Sequence, residues 1–140
     1  MANQSQFVAT PILEYAVIGT ADTSATAATA MADVASGPAT TAGSGVGKRI
    51  SRVSVSIPGT SSVGLIRWYV SADNGTTNRL IAETAVTAVT GTSTSIMFNT
   101  TVPALVGLVL PGGTGGSTNK LKATSTTNTG VHIVCESGQL

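Results

Sequence analysis

The sequence predicts an all-β fold, a single antiparallel sandwich preceded by an extended N-terminal segment. Three observations carry that expectation. From residue 48 onward, short alternating apolar and polar runs recur at roughly 8 to 12 residue spacing between turn signals. No stretch combines a helical apolar period with a capping pair. Finally, 23 Thr, 18 Ala, 16 Gly, 15 Ser and 15 Val make up more than half of the 140 residues, and the β-branched members of that set fit pleated backbone better than helix.

The chain divides near Gly47. Residues 1–47 carry Glu14, Asp22 and Asp33 and no basic residue, whereas residues 48–140 hold all seven basic residues and three acids. In the first part, residues 12–19 (ILEYAVIG) read as a strand. Residues 25–35 (ATAATAMADVA) are rich in alanine but interrupted by Thr26, Thr29 and Val34, so an extended segment or thin edge strand is expected there rather than a helix. Residues 35–47 are loop by composition. The expected organisation is therefore an extended arm or edge strands over 1–47 and a sandwich core over 48–140.

Residues 49–57 (RISRVSVSI) alternate at Val53, Val55 and Ile57, and the out-of-phase Ile50 predicts a bulge near Ser51 and Arg52. Residues 63–71 place Ile66, Trp68 and Val70 on one face, and Leu65, Arg67 and Tyr69 on the other. Asn74-Gly75 then signals a hairpin, since both residues accept positive φ. Residues 79–89 form the return strand. Further strands are expected over 95–101, 105–110, 120–124 and 131–136, seven or eight strands in all.

Composition excludes several function classes. Charged residues are 9% of the chain and the net charge is +1, against about 25% charged in ordinary soluble domains. A nucleic-acid binder working through a basic face does not fit that balance. A single Cys precludes an internal disulfide. The start lacks a positive n-region followed by an apolar h-region, and the longest apolar run, residues 102–110, is broken by Pro103 and Gly107. These features predict a protein made in a cytoplasm and without a membrane partner. Charge near zero favours self-association.

No catalytic or metal-binding pattern emerges. Residues 42–49 (AGSGVGKR) imitate a phosphate-binding loop, but Ala42 stands where Gly is needed and Arg49 where a hydroxyl must hold Mg²⁺. His132 and Cys135 lie three apart, hence on opposite faces of a strand, and no second His exists to build a metal site. Cys135 shares its face with Val131 and Ile133 and reads as a buried thiol. The chain is read as non-enzymatic, with no cofactor. Lys48, Arg49 and Arg52 cluster at a strand start and read either as a patch for acidic partner groups or as guards of a sheet edge. With Phe7 and Tyr15 they form the candidate interface. Arg67, inside an apolar strand, calls for a partner if its face is covered, and Glu83 on the return strand is the natural one.

From Gly47 to the end, the chain resembles small auxiliary virion proteins of tailed bacteriophages, the capsid cement or decoration proteins. The resembling pieces are GKRISRVSVSIPGTSSVGLIRWYVS (47–71), NRLIAETAVTAVTGTS (78–93), LVLPGG (108–113), LKATS (121–125) and VHIVCESGQL (131–140). The resemblance covers about two-thirds of the chain, with residues 113–120 forming a longer loop than the pattern usually has. It implies a jelly-roll-like module that oligomerises, commonly as a trimer, on the outer surface of a capsid. The implied partner is the major capsid protein and the implied location the virion, after synthesis in the bacterial host. A receptor- or carbohydrate-binding β module on a tail or fibre is the alternative, and it would need exposed aromatics among Phe7, Tyr15, Trp68, Tyr69 and Phe98.

Overall fold

A computed structural model describes residues 10–26, 28–38, 47–113 and 118–140. Among these residues nine strands form two antiparallel sheets: β1 (Thr10–Ile18), β2 (Ala32–Ser36), β3 (Lys48–Ile57), β4 (Gly64–Ser71), β5 (Arg79–Val86), β6 (Phe98–Thr101), β7 (Val109–Leu110), β8 (Lys120–Ser125) and β9 (Val131–Gln139). The first sheet runs β1-β9-β3-β6, with β7 also paired to β3, and the second runs β2-β8-β4-β5. The sheets pack face to face over one apolar core, as the alternation predicts. Val53, Val55 and Ile57 from β3 and Val131, Ile133 and Cys135 from β9 meet Ile66, Trp68, Leu121 and Ala123 of the second sheet. Trp68 has Ala82 and Ala123 as its cross-strand neighbours, and two small residues leave room for the indole. Its Nε1–H donates to the Thr84 hydroxyl at 2.9 Å, so the buried donor is satisfied.

The first third of the chain supplies one edge strand to each sheet. β1 pairs with β9 in unbroken register from Thr10↔Gln139 to Ile18↔Val131, and β2 pairs with β8. Ala16, Ile18, Val34 and Ala35 join the same core as the rest of the chain. Between β1 and β2, residues 22–26 and 28–30 form a strap on the outer face of the second sheet. Asp22 N–H donates to the Ser125 carbonyl at 2.7 Å, Arg67 donates to the Thr23 carbonyl at 2.8 Å and the Tyr69 hydroxyl donates to the Ala25 carbonyl at 3.1 Å. Tyr69 therefore points away from the core, as its strand position requires, yet is buried beneath this strap.

The predicted bulge is present: the register of β3 against β9 shifts between Ile50 and Arg52, which lets Ile50 and Val53 both face inward. Other expectations need correction. Residues 105–110 are not a strand: Pro103–Leu105 is a 3-10 turn and only Val109–Leu110 pairs, because Pro103 and the positive φ of Gly107 break extended backbone. Asn74 and Gly75 do adopt φ of 61° and 92°, but they lie within a longer link, residues 72–78, built on the Asp73 carboxylate. The strand expected over 95–101 begins only at Phe98, leaving Ile96 outside it and 89% exposed. The return strand ends at Val86 rather than 89.

Candidate interface on the first sheet

The outer face of the first sheet is built from alternate residues of β1, β9 and β3. Registers place Leu13, Glu136 and Arg52 in one row, Tyr15, Val134 and Ser54 in the next, and Val17, His132 and Ser56 in the third. Along β1 the outward side chains Leu13, Tyr15 and Val17 are 70%, 59% and 43% exposed. Three consecutive outward positions on a sheet edge are thus apolar and wet. Isolated exposed apolar residues need no explanation, but a contiguous column marks an interaction surface. The only charges on these rows, Arg52 and Glu136, sit at one end and face each other at 3.6 Å.

Tyr15 is fixed on this face by His132 of the adjoining strand. Its hydroxyl is hydrogen-bonded to His132 Nδ1, and the rings meet edge to face with centroids 5.6 Å apart. A cleft of about 330 Å³ opens beside the β3 bulge, lined by Pro11, Ile12, Leu13, Ser51, Glu136 and Ser137. It continues the apolar column toward the start of β1.

The side chains on the other face of β1 explain why this one is apolar. Glu14 points inward, opposite Cys135, and accepts a hydrogen bond from Lys48 Nζ at 2.9 Å. The Lys48 side chain is only 7% exposed and that of Glu14 25%. Lys48 is therefore not on the surface with Arg49 and Arg52, and the basic cluster expected from the sequence is divided between interior and solvent. The same placement removes Lys48 as a phosphate ligand. Residues 42–46 of that loop, and Phe7 among the candidate interface residues, lie outside the described residues. Arg49 is exposed, and Arg67 pairs with Glu83 at 2.9 Å as expected from their cross-strand positions.

Comparison with protein-family models, curated proteins and solved structures yields no match.

Cys135 is wholly buried, and burial, reinforced by the nearby Glu14 carboxylate, pushes its thiol up to about 12. His132 lies on the opposite face of β9, so the two do not form a couple. Among the described residues no group of three His, Cys, Asp or Glu side chains converges to hold a metal ion. No helix among them is long and apolar enough to cross a membrane. A second open cleft, about 450 Å³, lies by the β4–β5 link and is lined by Val70, Ala72, Asp73, Thr77 and Arg79. Asp73 there is committed to its own loop: the Thr77 hydroxyl and N–H, then Ser71, hold its carboxyl down to about 2.

Sequence reasoning selected Tyr15 but missed Leu13 and Val17. The signal was the alternation of residues 12–18, in which both faces of the strand carry apolar side chains. The lone Glu14 would ordinarily mark the solvent side, and only a buried cation reverses that reading.

Proposed function

We propose that the protein is a structural virion protein that binds the outer surface of a phage capsid as an oligomer and cements neighbouring coat subunits. The observation that supports this reading most is the apolar column Leu13–Tyr15–Val17, beside Val134, His132, Ser54 and Ser56 on a sheet face whose charges, Arg52 and Glu136, are paired at one end. Covering such a face removes apolar area from water at about 25 cal/mol per Å², with few charged groups to desolvate. Each copy binds modestly, and symmetry-related contacts on a lattice add up to a firm clamp. The resemblance of residues 47–140 to capsid cement proteins points the same way, and the major capsid protein is the partner it implies.

The described aromatics favour this reading over a glycan-binding module on a tail or fibre. Trp68, Tyr69 and Phe98 are buried, and Tyr15 alone is exposed, whereas sugar stacking calls for open aromatic rings. Electron microscopy of particles with and without the protein tests the assignment. Density between capsomers on the shell exterior is the expected result; density confined to the tail overturns it. Leu13→Asp is expected to weaken uptake by capsids while leaving the fold intact.

A further inference from the structure

We propose that the open edge of β1 pairs antiparallel with β1 of a second copy of this chain, about a two-fold axis at Tyr15. The inference stands on the sheet edges alone and does not require the capsid reading.

The edge strands are protected unequally. β2 is five residues long, carries Asp33 and is bulged between Asp33 and Ala35. β5 carries Arg79 and Glu83, and its register with β4 shifts between Trp68 and Tyr69. β6 has four residues and β7 two. Shortness, charge and bulges are the devices by which sheets avoid adding strands. β1 is neither short nor bulged: it runs nine residues in continuous register with β9, and Pro11 lies at its beginning. Its one charge, Glu14, is turned inward and bound by Lys48. Among the described residues, β9 is the only strand whose backbone pairs with β1. A long flat edge without outward charge is a template for another strand.

The side chains single out the occupant. In an antiparallel pair centred on Tyr15, Leu13 lies opposite the partner's Val17, Glu14 opposite the partner's Ala16 and Ile12 opposite the partner's Ile18. Every outward pair is apolar, and no like charges meet. Centring the pair on Glu14 instead would set two carboxylates opposite each other. A head-to-tail ring joining β1 to the far edge of the sheet would meet only the four residues of β6. The two-fold arrangement uses seven residues of β1, from Ile12 to Ile18, is self-complementary and closes. It also sets two apolar columns side by side on one continuous face.

Sedimentation velocity of the full chain, with amide exchange across β1, tests the pairing. The expected result is a concentration-dependent dimer in which the β1 amides gain protection. Tyr15→Lys and Tyr15→Glu are each expected to weaken the dimer at least about tenfold, by placing like charges opposite each other. Mixing the two variants restores dimers, because only this register sets position 15 against itself. As a second route, Leu13→Lys dissociates the dimer and adding Val17→Glu to it restores association. The near-ultraviolet signal of Trp68 reports that each variant is folded. A wild-type monomer or trimer, a dimer unmoved by these charges, or failure of mixing to restore association overturns the proposal.

Discussion

Lys48 Nζ lies 2.9 Å from the Glu14 carboxylate and joins β3 to β1 on the inner face of a sheet in which β9 runs between them. Removing one member of a buried pair strands the other charge, a penalty of about 3–5 kcal/mol at a fully buried site. Here Glu14 retains some solvent contact, and Lys48→Met is expected to cost about 2 kcal/mol. The double variant Lys48→Met with Glu14→Leu recovers most of that loss, because neither charge is then buried. Urea unfolding of the two single variants and the double variant measures the coupling.

The strap over the second sheet is held by Asp22. Its carboxylate accepts N–H bonds from Ser24, Thr29 and Ala30, and the Ala30, Ser24 and Thr29 amides lower its pKa. A depressed carboxyl stabilises the fold fully above its unfolded value of about 4, and that contribution is lost as pH falls through the lower folded value. Acid is therefore expected to loosen residues 22–26 and 28–30 before the core unfolds, exposing Tyr69. Asp22→Ala produces the same loosening at neutral pH. Faster amide exchange confined to the strap, with the Trp68 signal unchanged, is the result to look for.

Cys135 is predicted to resist thiol reagents in the native state. With the thiol raised to about 12, the thiolate fraction at pH 8 is on the order of a thousandfold below that of a free cysteine. Labelling should follow unfolding, so its rate in increasing urea tracks the population of open chain. Rapid labelling in buffer would show that β9 opens locally.

Gly91→Ala should be among the most damaging single substitutions. A Cβ at Gly91 would lie 2.2 Å from the Gly59 carbonyl carbon and 2.5 Å from its Cα. Backbone atoms cannot give way as a flexible side chain can, and a loss of about 2–4 kcal/mol is expected from overpacking and forced backbone shift. Gly130→Ala, which meets nothing within 4 Å, carries only the smaller strain of φ +65°. Thermal denaturation of the pair separates crowding from conformational strain.

The architecture was legible where one face of a strand is plainly apolar and the other plainly polar. Residues 52–57 and 131–136 place every core side chain by alternation, and Ile50, breaking phase, located the bulge. Legibility failed where the deciding interaction is remote in sequence. Glu14 could not be assigned to the interior without knowing that Lys48 reaches it, so the outward apolar column of β1 was hidden. Tyr69 reads as a surface residue on its strand and is buried because the segment around Ala25 returns across it. Residues 105–110 carry enough Val and Leu for a strand, but the turn before them, Pro103–Leu105, fixes their direction first.

The position of β9 has a bearing on how the chain folds during synthesis. It follows the other eight described strands in sequence, yet it lies inside the first sheet between β1 and β3. β1 and β3 thus gain their shared neighbour only after β9 has left the ribosome, and the β1–β9 ladder links positions as distant as Thr10 and Gln139. Such non-local pairing makes folding slow, because loop closure precedes the contacts that compensate it. Until then β1 has both edges open, and chaperone protection of the nascent chain matters most in that interval.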